Sequence, residues 1–201
     1  MSVLTLQPGK NGKVHLLLDG TYAMTADSDF VSFSGLYNNM NLDDEALTAL
    51  TQAVNARRAF NKASELLERR DHSEYELLQK LRQKGFADGA EDAIEKLKSY
   101  GYVDDSRFAL RYAQELQRLK NYGKRRIEQE LYRKGIDRAI IRDTLDGLTY
   151  DEETLPALIE RKYSRQLDTE QGVKKTIAAL QRLGYSYGEI RDALQSVQED
   201  V

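Results

Sequence analysis

The stretch LRQKGF at residues 81–86 returns as LYRKGI at 131–136 and as LQRLGY at 180–185. A leucine, three mostly polar residues, a glycine and a large apolar residue describe the end of an amphipathic helix. The leucine faces inward from the last full turn. The glycine takes the left-handed backbone conformation that a Cβ disfavours, and the next apolar residue folds back onto the helix in a Schellman-type contact.

The register extends outward from these copies. Leu81, Leu131 and Leu180 are separated by 50 and 49 residues, and apolar Phe60, Leu110 and Ile159 stand 21 positions before them. Eight positions before each leucine come Ser73, Gly123 and Gly172, residue types that favour a helix cap or turn. Two positions after each glycine come Ala87, Asp137 and Ser186. Asp137 and Ser186 are good caps for a further helix, and in the first copy the cap is expected to shift to Asp88, with Ile94 and Leu97 taking the role of Leu145 and Leu194. Capping boxes at Ser73/Glu76 and Ser186/Glu189 give the same boundaries. Each period is therefore three helices, and a period near 50 residues predicts an elongated, curved array of tandem three-helix repeats. The expected bounds are 43–103, 104–149 and 150–201.

Residues 1–42 differ. SVLTLQ and KVHLLLDG read as two antiparallel strands joined by the turn residues of PGKNGK, and Asp19-Gly20 can form a type I′ turn into a third strand, TYAM. Ser28 is expected to cap a short helix carrying Phe30, Val31 and Leu36, with Gly35 near its end. From Asp43 onward the apolar period is helical, through Leu47, Leu50, Val54, Phe60, Ala63, Leu66 and Leu67. Pro156 follows Thr154 in the first turn of a helix, where proline is tolerated. The fold class is thus mainly α, with a small N-terminal β-hairpin and helix unit.

Composition narrows the function. There is no cysteine, so disulfides and thiolate metal sites are excluded. No apolar run approaches the roughly 20 residues of a membrane span, and no secretory leader is evident. A cytoplasmic monomer is the expectation. The net charge of −3 divides as −4 over residues 1–50, +4 over 51–150 and −3 over 151–201. An acidic whole argues mildly against bulk duplex DNA as the main partner. No phosphate-binding loop, dinucleotide fingerprint, nucleophile or metal set appears, so catalytic residues, metal and cofactor are all expected to be absent. His72 is read as a neighbour of a helix cap. Asp104 and Asp105 in GYVDDSRFA are read as capping residues rather than a carboxylate dyad. Tyr100 and Tyr102, which flank Gly101, are expected to pack in the core.

The densest charge feature is RLKNYGKRR at 118–126, with Arg118, Lys120, Lys124, Arg125 and Arg126 around Tyr122 and no acidic residue. Arg133 and Lys134 follow at the end of the next helix. These cations fit either a solvated helix-turn-helix face or a surface for an acidic partner, where arginine can bind phosphate or carboxylate bidentately and tyrosine can stack. A weaker basic set is Lys80, Arg82 and Lys84, for which the helix dipole at a C-terminus is sufficient reason.

HSEYELLQKLRQKGF, LKSYGYVDDSRFALRYA and NYGKRRIEQELYRKGI follow one another in the order and spacing of the RecX family, and the resemblance covers roughly residues 55–195. The N-terminal unit with VHLLLDGTYAM resembles the extension of longer members, some of which carry further helical repeats. The resemblance implies a non-enzymatic regulator that binds the filament of the RecA recombinase and generally inhibits its ATP hydrolysis and strand exchange. The family's basic segment falls here on Lys124, Arg125 and Arg126, beside Tyr122 and Gly123, which implies contact with RecA or with the DNA backbone. Two competing classes are a helical DNA-binding module acting directly on DNA and a helical scaffold for an unrelated protein.

Overall fold

The computed structural model describes residues 1–199 and divides the chain into two compact units, Met1–Val103 and the part from Asp104 onward.

In the first unit, strands β1 (Ser2–Pro8), β2 (Lys13–Leu18), β3 (Thr21–Asp27) and β4 (Met40–Leu42) form an antiparallel sheet in the order β3-β2-β1-β4. Asp19 and Gly20 both have positive φ, 50° and 77°, as the expected type I′ turn requires. Alternation turns Leu4 and Leu16 inward, where they meet Leu42, Val31, Leu50 and Val54. β4 carries no turn-to-turn period in three residues, and sequence patterning passed over it. Helix α1 (Ser28–Phe33) starts one residue earlier than expected, since Asp27 is its cap and Ser28 is already helical. The Ser28 amide instead donates to the Gly12 carbonyl.

Helix α2 (Asp44–Leu67) is capped by Asp43, whose carboxylate accepts from the Ala46 amide at 2.8 Å. Its first half covers the sheet through Leu50 and Val54. Its second half joins α3 (Glu74–Gln83) and α4 (Ala90–Ser99) through Ala63, Leu66, Leu77, Leu81, Ile94 and Leu97. The cap of α4 is Gly89 rather than Asp88. A Cβ there would lie 2.4 Å from the Ala56 amide nitrogen, so glycine is what lets α4 meet α2.

The second unit holds α5 (Asp105–Lys120), α6 (Lys124–Arg133) and α7 (Arg138–Gly147), followed by α8 (Thr154–Tyr163), α9 (Glu170–Arg182) and α10 (Tyr187–Glu199). Asp104 caps α5 by accepting from the Arg107 amide at 2.9 Å, the capping role expected of it. Pro156 lies in the first turn of α8. Gly172, expected to open a helix, lies inside the first turn of α9, and the cap is Thr169, whose hydroxyl accepts from the Gly172 amide. Close approach to the Gln166 carbonyl explains the glycine. Two cores form, one around Ile127, Leu131 and Ile141, the other around Ile159, Leu180 and Ile190. Leu110 lies in α5 as its register with Phe60 and Ile159 predicts, but it is 41% exposed where Ile159 is buried.

All three copies of the repeated stretch are Schellman motifs. Gly85, Gly135 and Gly184 have φ of 81°, 75° and 98°, and the amides of Phe86, Ile136 and Tyr185 donate to Leu81, Leu131 and Leu180 at 2.9, 3.2 and 3.2 Å. A fourth corner uses the same bonds: Gly101 has φ 72°, and the Tyr102 amide donates to the Leu97 carbonyl at 2.9 Å. Here the closing residue turns outward. Tyr100 and Tyr102 are 57% and 64% exposed, so the expected core packing of these rings does not occur. Tyr100 meets Tyr102 and the partly buried Phe60 edge to face.

The box opening α10 closes in both directions. The Ser186 amide donates to Glu189 Oε2 at 2.6 Å, and the Glu189 amide donates to Ser186 Oγ at 3.2 Å. Ser186→Ala is expected to lower stability by about 1 kcal/mol in urea unfolding. An unchanged midpoint would show that the box contributes nothing.

Candidate interaction surface

The basic run is built on a corner between two helices. α5 ends at Asn121, in the left-handed conformation with φ 53°, and Gly123 opens α6. Between them the Tyr122 amide donates back to Leu116. The first amides of α6 lack intrahelical partners, as at any helix start. Here they find carbonyls at the end of α9: the Gly123 amide donates to Leu183 at 2.8 Å and the Arg125 amide to Gly184 at 3.3 Å. One helix's unpaired donors thus satisfy another's unpaired acceptors. The contact is so close that a Cβ on Gly123 would stand 2.7 Å from the Gly184 carbonyl.

This corner sorts the cations. Arg118, Lys120 and Arg125 are exposed, and their side chains form no ion pair among the described residues. Lys124 is exposed, with Nζ 5.7 Å from the centre of the Tyr150 ring. Arg126 is half-buried; its guanidinium lies 5.5 Å from the Tyr122 ring centre and pairs with Glu130 at 2.9 Å. Arg133 shares that carboxylate at 3.0 Å. Lys134 lies 5.2 Å over Tyr112. Tyr122 is packed against the core around Ile127, and its carbonyl accepts from the Tyr150 hydroxyl. With Arg126 over its ring, it serves first to hold the corner. Three cations in the first turn of α6 also oppose the helix dipole, which favours anions there. The outward group is Arg118, Lys120, Lys124 and Arg125.

Sequence patterning passed over two residues of the same surface. Arg107 and Arg111 are exposed on α5 and stand eleven and seven positions before Arg118, on one helical face. The signal was present in the spacing but hidden by Phe108 and Tyr112, which draw attention to the opposite, core-facing side.

Lys80, Arg82 and Lys84 belong to the other unit, at the end of α3. Arg82 pairs with Glu91 at 2.8 Å, and its hydrogen bond holds that carboxylate below its usual range. His72 is buried beside the cap residue Ser73, with Nδ1 3.7 Å from Glu76. Among the described residues no group of His, Cys, Asp or Glu is arranged to hold a metal, and no helix is long and apolar enough to cross a membrane.

Two family models match the chain: the first three-helix domain of RecX over residues 59–104 and the second over 104–145. The regulatory protein RecX of Bacillus velezensis is 29% identical over 200 residues, covering 97% of this chain and 76% of that protein. That of Caldanaerobacter subterraneus is 29% identical over 187 residues, covering 92% and 93%. Among solved structures, a crystal structure of regulatory protein RecX superposes with a TM-score of 0.71 at 22% identity, over 96% of this chain and all (100%) of that one. RecX from Lactobacillus salivarius gives 0.65 at 24% identity, over 72% and 97%.

Proposed function

The chain belongs to the RecX family, and on that premise we propose that it binds the RecA nucleoprotein filament and inhibits its ATP hydrolysis and strand exchange. It acts without chemistry of its own, in the cytoplasm, as a ligand of a multi-subunit polymer. The observation that carries the site is the outward group Arg118, Lys120, Lys124 and Arg125, extended along α5 by Arg111 and Arg107. Such a surface fits the acidic face of a protein or a phosphate backbone, and in a RecA filament both are within reach of one ligand. A helical array that touches more than one RecA subunit shifts the filament's conformation only as far as it prefers one state over another.

The test is sedimentation. The protein should pellet with RecA assembled on single-stranded DNA and stay in the supernatant with the same DNA alone at physiological salt. Pelleting with bare DNA, falling steeply as salt is raised, would instead favour a DNA-binding module. Failure to pellet with either would overturn the proposal.

A further inference from the structure

The first unit carries two grooves that share one ring. Phe60 of α2 lines both, the one of about 480 Å³ together with Phe33 and Lys96 and the one of about 550 Å³ together with Tyr100 and Tyr102. Phe33 is 92% exposed and both tyrosines are exposed as well, so three large rings stand in solvent around Phe60. Single exposed rings need no account, but a contiguous apolar strip marks an interaction surface. Two cations converge on its centre: the Arg57 guanidinium lies 6.0 Å and the Lys96 amine 5.6 Å from the Phe60 ring centre. Neither forms an ion pair among the described residues, although Asp29 and Asp92 line the same groove. The Arg57 Nε is buried without a hydrogen-bond partner among those residues. Packing therefore fixes the guanidinium while its donors go unused, a costly state that an acceptor from outside would relieve.

We propose that this strip is the docking site for a segment of a partner protein that carries an aspartate or glutamate beside a large apolar side chain. Arg57 and Lys96 receive the carboxylate, the guanidinium through its fork of donors and the amine as a point charge. The apolar side chain enters the groove lined by Phe33 and Phe60, and Tyr100 and Tyr102 extend the contact with rings of a kind favoured as interface anchors. Rings among cations also suit unpaired bases. The grooves favour a protein over nucleic acid, because Glu68 joins Asp29 and Asp92 in lining them. A nucleic-acid backbone brings a phosphate with every nucleotide into that acidic set, whereas a peptide can bring one carboxylate and leave the rest apolar. The strip shares no residue with the basic corner, and the inference does not depend on RecA.

The experiment is a fluorescence anisotropy titration of the full chain into a labelled decapeptide carrying one glutamate next to a tryptophan, with the same peptide bearing glutamine in place of glutamate as reference. Wild type is expected to bind the glutamate peptide about tenfold more tightly. Arg57→Gln with Lys96→Gln should remove that preference. Phe33→Ala, on an exposed side chain, should weaken binding of both peptides about fivefold. Lys96→Glu, also on an exposed side chain, should reduce the preference by itself and keeps the test decisive if Arg57→Gln disturbs folding. Equal binding of the two peptides by wild type, or a preference that survives both sets of cation changes, would overturn the proposal, as would no binding by wild type. Displacement of the peptide by a single-stranded oligothymidylate that fails to bind Phe33→Ala would also overturn it, by giving the strip to unpaired bases.

Discussion

Gly184→Ala is expected to destabilise the protein by about 3 kcal/mol, whereas Gly85→Ala, at the equivalent position of an earlier corner, is expected to cost only about 1 kcal/mol. Both glycines close a Schellman motif with positive φ, 98° and 81°. That shared conformation accounts for the smaller figure, the cost of forcing a Cβ into the left-handed region. The difference is tertiary. A Cβ on Gly85 would meet nothing within 4 Å, but one on Gly184 would lie 2.4 Å from the Arg126 amide nitrogen and 2.5 Å from its Cβ. Backbone cannot rotate away as a side-chain tip can, so the start of α6 must move and the bonds from Gly123 and Arg125 must stretch. Thermal unfolding reads the contrast as a shift of roughly 10 °C against one of no more than about 4 °C. Equal shifts would show that the corner-to-corner contact is not tight.

The second large effect is on partner binding. Changing Arg118, Lys120 and Arg125 together to Glu alters the local charge by six units on side chains that hold no ion pair. Exposed charge pairs contribute up to about 1 kcal/mol each. Replacing three attractions with three repulsions is therefore expected to lower affinity tenfold or more, with the loss shrinking as salt is raised. Arg126 is left in place deliberately. It is held by Glu130 and Tyr122, so changing it would disturb the corner and the surface at once.

Much of this architecture was legible in the sequence because it rests on local chemistry. A left-handed glycine after an inward leucine, a serine followed three residues later by glutamate and an Asp-Gly turn act within a few residues of themselves. Four features needed the fold. Gly89 and Gly172 are glycines because other backbone passes close by, at Ala56 and Gln166. Gly123 and Gly184 likewise serve each other across 61 residues of chain, and no local pattern encodes that. Tyr100 and Tyr102 have the right residue type for a core and the wrong direction, which depends on what the neighbouring helices cover. In the basic run the composition identified the segment, but only the packing separated Arg126, which braces the corner, from Arg125, which faces outward.

Under the proposed function, this chain restrains RecA through that corner. ATP hydrolysis by RecA on single-stranded DNA, followed as wild type or the Arg118/Lys120/Arg125→Glu variant is added, tests it most directly. The expected result is inhibition by wild type and at least tenfold more protein needed for the same inhibition by the variant. Wild type that leaves hydrolysis unchanged would contradict the proposed function, and equal inhibition by both proteins would contradict the surface assigned to it.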